Sequence, residues 1–184
     1  LTAHIPGTVC PNAKLKEPDW IKYLRNSEVT YAEAFREAGY ATCHIGKWHL
    51  STVQGPKDHG FETVVAVPKG INGKDINDPW FVDYYTSELD KFLEKNADRP
   101  FLAVLSHGTV HVPHYEKDDL IAKYRKKTPG NNGQNNPVMA AMIERMDWSV
   151  GRVMAKLKEL KLDKNTAVVF FSDNGGLMDV LDDE

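Results

Sequence analysis

The sequence has 184 residues, with 23 lysines and arginines against 26 aspartates and glutamates, a net charge of −3. Its composition, 41% hydrophobic and 27% charged, is that of an ordinary globular chain of about one domain, which excludes wholesale disorder. The near-neutral charge excludes a strongly basic surface for nucleic acid, and no apolar run reaches the roughly 20 residues of a membrane span.

Two helix-and-strand pairs occupy the first part of the chain. A helix begins at Thr30, where Glu33 completes a capping box, and Gly39 ends it. The apolar residues 40–48 that follow predict a buried strand. An amphipathic helix at residues 84–96 then leads to a second predicted strand at residues 101–106.

The longest predicted helix covers residues 137–160, with Pro137 in its first turn and an apolar stripe along one face. Gly151 within it suggests close packing against a neighbour. The β-branched residues 166–172 (TAVVFFS) predict a third buried strand. Residues 51–79 and 126–136 are rich in glycine, proline or asparagine and predict loops. This alternation predicts an α/β fold with a mainly parallel sheet flanked by helices.

Polar residues follow each predicted strand, at the sheet edge where parallel α/β folds place their sites. After the first strand, Lys47 and His49 are two residues apart, so both side chains point to the same side while Trp48 points away. An ammonium beside an imidazole suits an anionic substrate, because one offsets charge and the other transfers a proton. The alternative is a strand end with solvated polar residues.

Three histidines follow the second strand: His107, His111 and His114. A metal site is one interpretation, and an anion-binding or proton-transfer role for one histidine is another. Loop histidines without a task are the third. The sequence contains neither the cysteine cluster nor the His-Glu-x-x-His helix that would complete a zinc site.

Asp173 and Asn174 follow the third predicted strand and precede two glycines. Their side-chain oxygens are hard ligands suited to calcium or magnesium. A simple turn is the alternative, since Asp-Asn-Gly is a common turn composition.

Taken together, these segments resemble the sulfatase family within the alkaline phosphatase superfamily. Residues 39–50 (GYATCHIGKWHL) resemble a family signature, Gly-Tyr-x-Thr-x-x-x-Gly-Lys-Trp-His-Leu. Residues 58–62, 101–113 and 139–176 are similar to segments that follow it in the family, the last ending in Ser-Asp-Asn-Gly-Gly. The resemblance implies an alkaline phosphatase-like fold and hydrolysis of sulfuric esters by a calcium-dependent sulfatase with a formylglycine nucleophile.

The resemblance also implies a role for each strand-end residue. Lys47 would contact the sulfate and the nucleophile, and His49 would hydrogen-bond the nucleophilic group and assist release of sulfate. His111 would bind sulfate and protonate the leaving oxygen. Asp173 and Asn174 would ligate calcium, with magnesium less favoured. His107 and His114 match no catalytic position of the family.

The sequence departs from the family at the nucleophile. The family makes formylglycine within Cys/Ser-x-Pro-x-Arg, which does not occur here, since proline follows Cys10 directly. Residues 1–6 resemble a run just downstream of that motif. We therefore expect residues 1–184 to be a partial, incomplete catalytic domain, lacking the N-terminal strand with the nucleophile and paired metal-binding aspartates, and the C-terminal subdomain. Alone, it should show no turnover, calcium affinity of ~10⁻³ M or weaker, and an open sheet edge.

Two alternatives stay open. One is a phosphodiesterase or phosphonate hydrolase of the same superfamily, whose anionic substrate carries a similar charge. The other is a non-catalytic domain that binds sulfated glycans. The expected partner is a sulfated small molecule or a sulfated polysaccharide, not nucleic acid or a membrane. The resemblance implies an exported (periplasmic or extracellular) or lysosomal location for the parent protein.

Overall fold

A computed structural model describes residues 23–51, 53–67, 75, 77–128 and 135–173. The chain divides into two compact units, which are described separately. The sheet unit comprises Leu1–Ala66 and Asp98–Ser106, and the helical unit comprises Val67–Ala97 and His107–Glu184. The assignment of residues 1–184 to one partial catalytic domain stays a prediction.

The sheet unit contains a parallel three-stranded sheet. Its central strand β1 (Ala41–Gly46) pairs in parallel with β2 (Thr63–Val65) and with β3 (Phe101–Ser106). All six residues of β1 are buried, the polar Thr42 and His44 included, because a parallel strand inside a sheet has no solvated face. The predicted parallel α/β class is confirmed. β1 is shorter than the predicted 40–48, while β3 has the predicted bounds.

Helix α1 (Tyr31–Glu37) begins with the capping box that the sequence predicts. The Thr30 hydroxyl accepts a hydrogen bond from the Glu33 N–H at 3.2 Å, and the Glu33 carboxylate accepts one from the Thr30 N–H at 2.8 Å. The same hydroxyl donates to the carbonyl of His59 at 2.8 Å, which ties the start of the helix to the loop before β2. Gly39, with a φ of +86°, follows the helix and lets the chain turn into β1.

The helical unit packs α4 (Pro137–Glu159) against α2 (Val82–Lys95) and α3 (Asp118–Arg125). α2 begins two residues earlier than predicted, because the carboxylate of Asp78 accepts hydrogen bonds from the N–H groups of Asp83 and Tyr84, each at 2.8 Å. α4 matches the prediction to within one residue at its C-terminus. The short helix α3 and the short strand β2 were not predicted, since neither has a sustained apolar period.

Arg145, on α4, joins acidic groups from the other segments of the helical unit. Its guanidinium lies 2.7 Å from the carboxylate of Asp83 and 3.9 Å from that of Glu116. The side chain of Glu116 is fully enclosed, and this burial raises its pKa. The pairing with Arg145 offsets part of the cost of burying that carboxyl group and fixes α4 against the segments that carry the acids.

Two expectations about the end of the chain are wrong. Residues 166–172 form no strand, and none of the sheet strands in the described part of the chain pairs with them. Val169 and Phe171 are 84% and 82% exposed, because an apolar run without a partner strand has nothing to bury it. Gly151 lies on an open face of α4 with no atom close to where a Cβ would stand, so close packing does not explain it.

No helix in the described ranges combines the length and the apolar composition needed to cross a membrane.

Candidate active site

The carboxyl end of β1 is held in place by its contact with β3. Gly46 has a φ of +100°, and a Cβ there would collide with the carbonyl oxygen of Ser106. The next residue, Lys47, donates its backbone N–H to that same oxygen at 2.8 Å. Only glycine allows this close approach. The position of the Lys47 backbone is therefore fixed by main-chain contacts alone.

Lys47 and His49 are both exposed, whereas Trp48 between them is half-buried. Trp48 turns into an aromatic cluster, where it stacks on His59 with ring centroids 5.7 Å apart and meets the edge of Phe61 at 6.4 Å. Its indole N–H donates to the carbonyl of Gln54 at 3.0 Å. Trp48 is thus anchored inward, while Lys47 and His49 are exposed. That both side chains point to the same side stays a prediction, because β1 ends at Gly46 and residues 47–49 are not part of a strand.

The aromatic cluster also encloses His44, on β1, which contacts both Trp48 and Phe61 edge-on. Burial lowers the pKa of His44 to about 4, so this imidazole is neutral at neutral pH. His59 is fully enclosed, and its ring nitrogens have no hydrogen-bond partner among the described residues. These two histidines therefore serve the packing beneath Trp48, His44 through its edge-on contacts and His59 through its stacked ring.

His107, the first residue after β3, is fixed by a chain of hydrogen bonds inside the helical unit. Its Nε2 lies 2.9 Å from the hydroxyl of Ser149, which lies 2.6 Å from the hydroxyl of Thr86. Thr86 donates to the carbonyl of Val82 at 2.6 Å. Because the hydroxyl proton of Thr86 is donated to that carbonyl, Thr86 accepts from Ser149, and Ser149 in turn accepts from His107. His107 therefore carries its proton on Nε2.

The hydrogen bonds of His107 indicate a structural role rather than a catalytic one. Its Nδ1 is buried and has no hydrogen-bond partner in the described residues, and burial lowers the pKa of His107 to about 4. With Nε2 bonded to Ser149 and Nδ1 buried, neither ring nitrogen is open to exchange a proton with a ligand, and a neutral imidazole offers no charge to an anion. The proton-transfer interpretation of the three histidines therefore does not fall on His107.

His111 has the opposite arrangement in the same loop. It is exposed, and its Nδ1 lies 2.8 Å from the carbonyl oxygen of Val112. Because the carbonyl accepts, Nδ1 carries the proton of this bond and Nε2 is the nitrogen free to exchange one with a ligand. His114, three residues further on, is half-buried and gains no assigned role.

The predicted metal ligands are only partly within the described residues. Asp173 is exposed at the end of the described chain, and Asn174 lies outside it. Nowhere in the described ranges do three or more histidine, cysteine or acidic side chains form a group that could hold a metal. The oxygen donors of Asp173 and Asn174 have the chemistry that calcium requires, and they would supply only part of its coordination.

The predicted site residues are shared between the two units. Lys47 and His49 belong to the sheet unit, whereas His111 and Asp173 belong to the helical unit. Within each unit the geometry is defined, and the convergence of the two sets stays a prediction. Sequence reasoning missed Thr86 and Ser149, because small hydroxyl residues inside helices carry no signal that separates a hydrogen-bond chain from ordinary packing.

A family model described as Sulfatase matches residues 7–181. An arylsulfatase of Hemicentrotus pulcherrimus is 28% identical over 85% of this chain and 33% of its own length. An ulvan-active sulfatase of Formosa agariphila is 30% identical over 85% of this chain and 37% of its own length. An arylsulfatase of Klebsiella aerogenes is 28% identical over 83% of this chain and 48% of its own length. The chain thus spans about a third to a half of these relatives.

Solved structures show the same fold. The protein yidJ of Bacteroides fragilis superposes with a TM-score of 0.62 at 19% identity, over 78% of this chain and 43% of its own. The protein Ps i-CgsB, solved in complex with a neocarrahexaose, superposes with a TM-score of 0.61 at 19% identity, over 76% of this chain and 38% of its own. Since the family model covers nearly every residue that carries the strand-end motifs, the chain belongs to the sulfatase family.

Proposed function

We propose that the protein takes part in the hydrolysis of sulfuric esters, with Lys47, His49 and His111 contacting the sulfate group. The observation that supports this proposal is the family signature at residues 39–50, in which Lys47 and His49 follow the end of β1. Both side chains are exposed while Trp48 anchors the backbone between them. A cation and a hydrogen-bond donor held in this way stabilise the charge of a bound sulfate.

His111 would protonate the leaving oxygen. Its Nδ1 is engaged by the carbonyl of Val112, so Nε2 is the nitrogen left to hold the proton that is transferred. When the sulfur–oxygen bond breaks, the departing alkoxide or phenoxide takes this proton, and Nε2 recovers it from solvent. His49 would hydrogen-bond the attacking group, and Lys47 would offset the negative charge on the sulfate oxygens.

Calcium fits the donor set at the far end of the described chain. Asp173 and Asn174 would hold it through a carboxylate and an amide oxygen, with further ligands from other residues. A bound calcium ion would supply positive charge that offsets the charge of the sulfate group. The formylglycine motif does not occur in the sequence, so these residues supply binding and proton transfer rather than the nucleophile.

The names of the relatives favour a sulfated polysaccharide as substrate. One is an ulvan-active sulfatase, another an N-acetylgalactosamine-6-O-sulfatase, and Ps i-CgsB was solved with a neocarrahexaose. We therefore propose a sulfated glycan, with small aryl sulfates as convenient probes. An exported or lysosomal location fits that substrate class, because sulfated polysaccharides are found outside the cytoplasm.

Calorimetric titration with inorganic sulfate and 4-nitrophenyl sulfate tests the proposal. The variants K47A and H111A should each lower the affinity for both ligands by about tenfold or more, since each removes a charge-assisted hydrogen bond. K57A removes another exposed lysine of the sheet unit, in the turn Pro56–His59, and should leave the affinity unchanged. Hydrolysis of 4-nitrophenyl sulfate by these 184 residues should stay at background.

Two results would overturn the proposal. One is an equal loss of sulfate affinity in K57A and K47A, which would reduce the effect to net charge. The other is stronger binding of bis(4-nitrophenyl) phosphate than of the sulfate ester, with the same dependence on Lys47. That result would assign the site to phosphodiesters.

A further inference from the structure

We propose that Trp80 forms a binding surface for the ring that carries the sulfate group, directly beside His111. The inference rests on the proposed function, because it takes His111 as the contact to the ester oxygen. It adds a specificity-determining residue that recognises the alcohol portion of the ester rather than the sulfate.

Trp80 lies against the loop that carries His111. The centroid of its ring is 6.4 Å from that of the His111 imidazole, and the two planes are inclined by 58°. On another side the ring of Tyr115 is 5.4 Å away, and its hydroxyl accepts a hydrogen bond from the backbone N–H of Trp80 at 3.4 Å. The indole is therefore held by aromatic contacts that leave it next to an exposed imidazole.

Gly108 makes room for the indole within this loop. A Cβ at position 108 would lie 2.7 Å from Cε3 of Trp80, so any other residue would push the ring away. The indole Nε1 is buried and has no hydrogen-bond partner in the described part of the chain, while the side chain as a whole is only half-buried. The polar edge thus turns inward, and the surface that Trp80 leaves exposed is apolar ring.

The backbone at this position is strained. Trp80 and the next residue, Phe81, have φ values of +60° and +57°, a region that bulky residues rarely adopt. The capping hydrogen bonds that Asp78 accepts from Asp83 and Tyr84 hold the chain on both sides of the strained pair. Backbone strain of this kind is concentrated at ligand-binding sites, where a side chain must be displayed in one orientation.

The spacing fits a ring attached to the ester oxygen. An oxygen hydrogen-bonded to Nε2 of His111 would lie about 3 Å from that nitrogen. Since the imidazole and indole centroids are 6.4 Å apart, a ring joined to that oxygen could contact the indole at the roughly 4.5–7 Å centroid separation of aromatic pairs. An aryl ring and the apolar face of a pyranose both present such a surface. Their shared chemistry is a flat array of C–H groups, which Trp80 would contact through its exposed face.

Titration of two variants with two probes tests the proposal. W80A should lower the affinity for 4-nitrophenyl sulfate by about fivefold to tenfold and leave the affinity for inorganic sulfate unchanged, whereas W80F should retain most of the affinity for the aryl ester. The matched control is W148A, which removes an exposed tryptophan of the same unit that lies beneath the guanidinium of Arg145. It should leave both affinities unchanged.

A second measurement uses the wild-type protein, so it does not depend on the variants folding. Nuclear Overhauser effects should connect the ring protons of bound 4-nitrophenyl sulfate to the indole protons of Trp80. Their absence in a saturated sample, or equal losses for both probes in a folded W80A variant, would overturn the proposal. Galactose 6-sulfate in place of the aryl ester distinguishes a sugar ring from an aromatic one by which ligand loses more affinity in W80A.

The outcome is separable from that of the proposed function. If Lys47 and His111 do not bind sulfate, then inorganic sulfate fails to bind in every variant. If only the Trp80 inference is wrong, inorganic sulfate binds through His111 while the aryl ester gains nothing from Trp80.

Discussion

The carboxyl end of β1 and the loop after β3 position their functional side chains by different means. At the end of β1 the backbone positions them: Gly46 lies against the carbonyl of Ser106, and the half-buried Trp48 anchors the chain between the exposed Lys47 and His49. In the loop after β3, side-chain hydrogen bonds do the positioning. They link His107 to Ser149 on α4 and to Thr86 on α2. Backbone positioning leaves a pattern in the sequence, whereas side-chain positioning leaves almost none.

The largest effect is expected from G46A, which disrupts the close approach of the β1 backbone to Ser106. A Cβ at position 46 would overlap the Ser106 carbonyl oxygen and would also require a φ of +100° in a non-glycine residue. We expect a loss of roughly 4 kcal/mol or more in the free energy of unfolding, measured by urea denaturation. G55A, with open space around the added Cβ, is the control and should change stability little. Equal losses in both variants would contradict the argument.

Acid should weaken the sheet unit through His44. Its pKa is lowered to about 4 in the folded protein against about 6.5 in an unfolded chain. The unfolded state therefore binds the proton first, so stability is complete above about pH 6.5 and falls as the pH drops toward 4. The expected loss is about 3 kcal/mol, an order-of-magnitude figure. H44F should reduce the slope of the urea midpoint against pH over this interval by about half, because His107, whose pKa burial also lowers to about 4, keeps its own contribution. An unchanged slope would contradict the interpretation.

S149A removes the hydroxyl group that links His107 to Thr86. It leaves the Nε2–H of His107 without its acceptor in a buried position, at a cost of about 1–3 kcal/mol in unfolding free energy. S87A is the matched control: this serine also lies on a helix of the same unit, but it is exposed and should change stability by less than about 0.5 kcal/mol. Nitrogen-15 spectra should show His107 losing its Nε2–H tautomer in S149A only. An unchanged tautomer would mean that the chain does not orient His107.

The smallest effect is a gain. Gly151 is exposed within α4, and nothing stands near the place of an added Cβ. G151A should therefore stabilise the protein by about 0.5–1 kcal/mol, the helix propensity difference, which thermal unfolding can resolve. If G151A destabilised the protein, that result would support the close packing at Gly151 predicted from the sequence and contradict the open face seen in the structure.

Much of the sheet could be predicted from sequence because local rules and tertiary contacts agree there. The capping box at Thr30 and Glu33, the stop at Gly39 and the apolar run of β1 each specify the same arrangement. Lys47 and His49 are exposed on either side of the half-buried Trp48, as expected for polar residues at a strand end. That they point to the same side stays a prediction, because β1 ends at Gly46 and a period of two holds only within a strand.

The remaining features depend on partners that a local pattern does not contain. Residues 166–172 have every propensity of a buried strand, yet a strand forms only where another strand pairs with it. Asp78 extends α2 from outside the apolar period, and Ser149 is a polar residue within a core-facing stripe. The three histidines look alike in sequence, and only their hydrogen-bond partners separate His107 from His111.

The central question is whether one anion contacts Lys47 and His111 together. Side-chain signals of both residues, followed by NMR during titration with inorganic sulfate, would answer it directly. Our account predicts that the ε protons of Lys47 and the imidazole protons of His111 shift with the same dissociation constant, and that K47A weakens the titration seen at His111 by about tenfold. Different dissociation constants at the two residues, or a His111 titration unaffected by K47A, would contradict it.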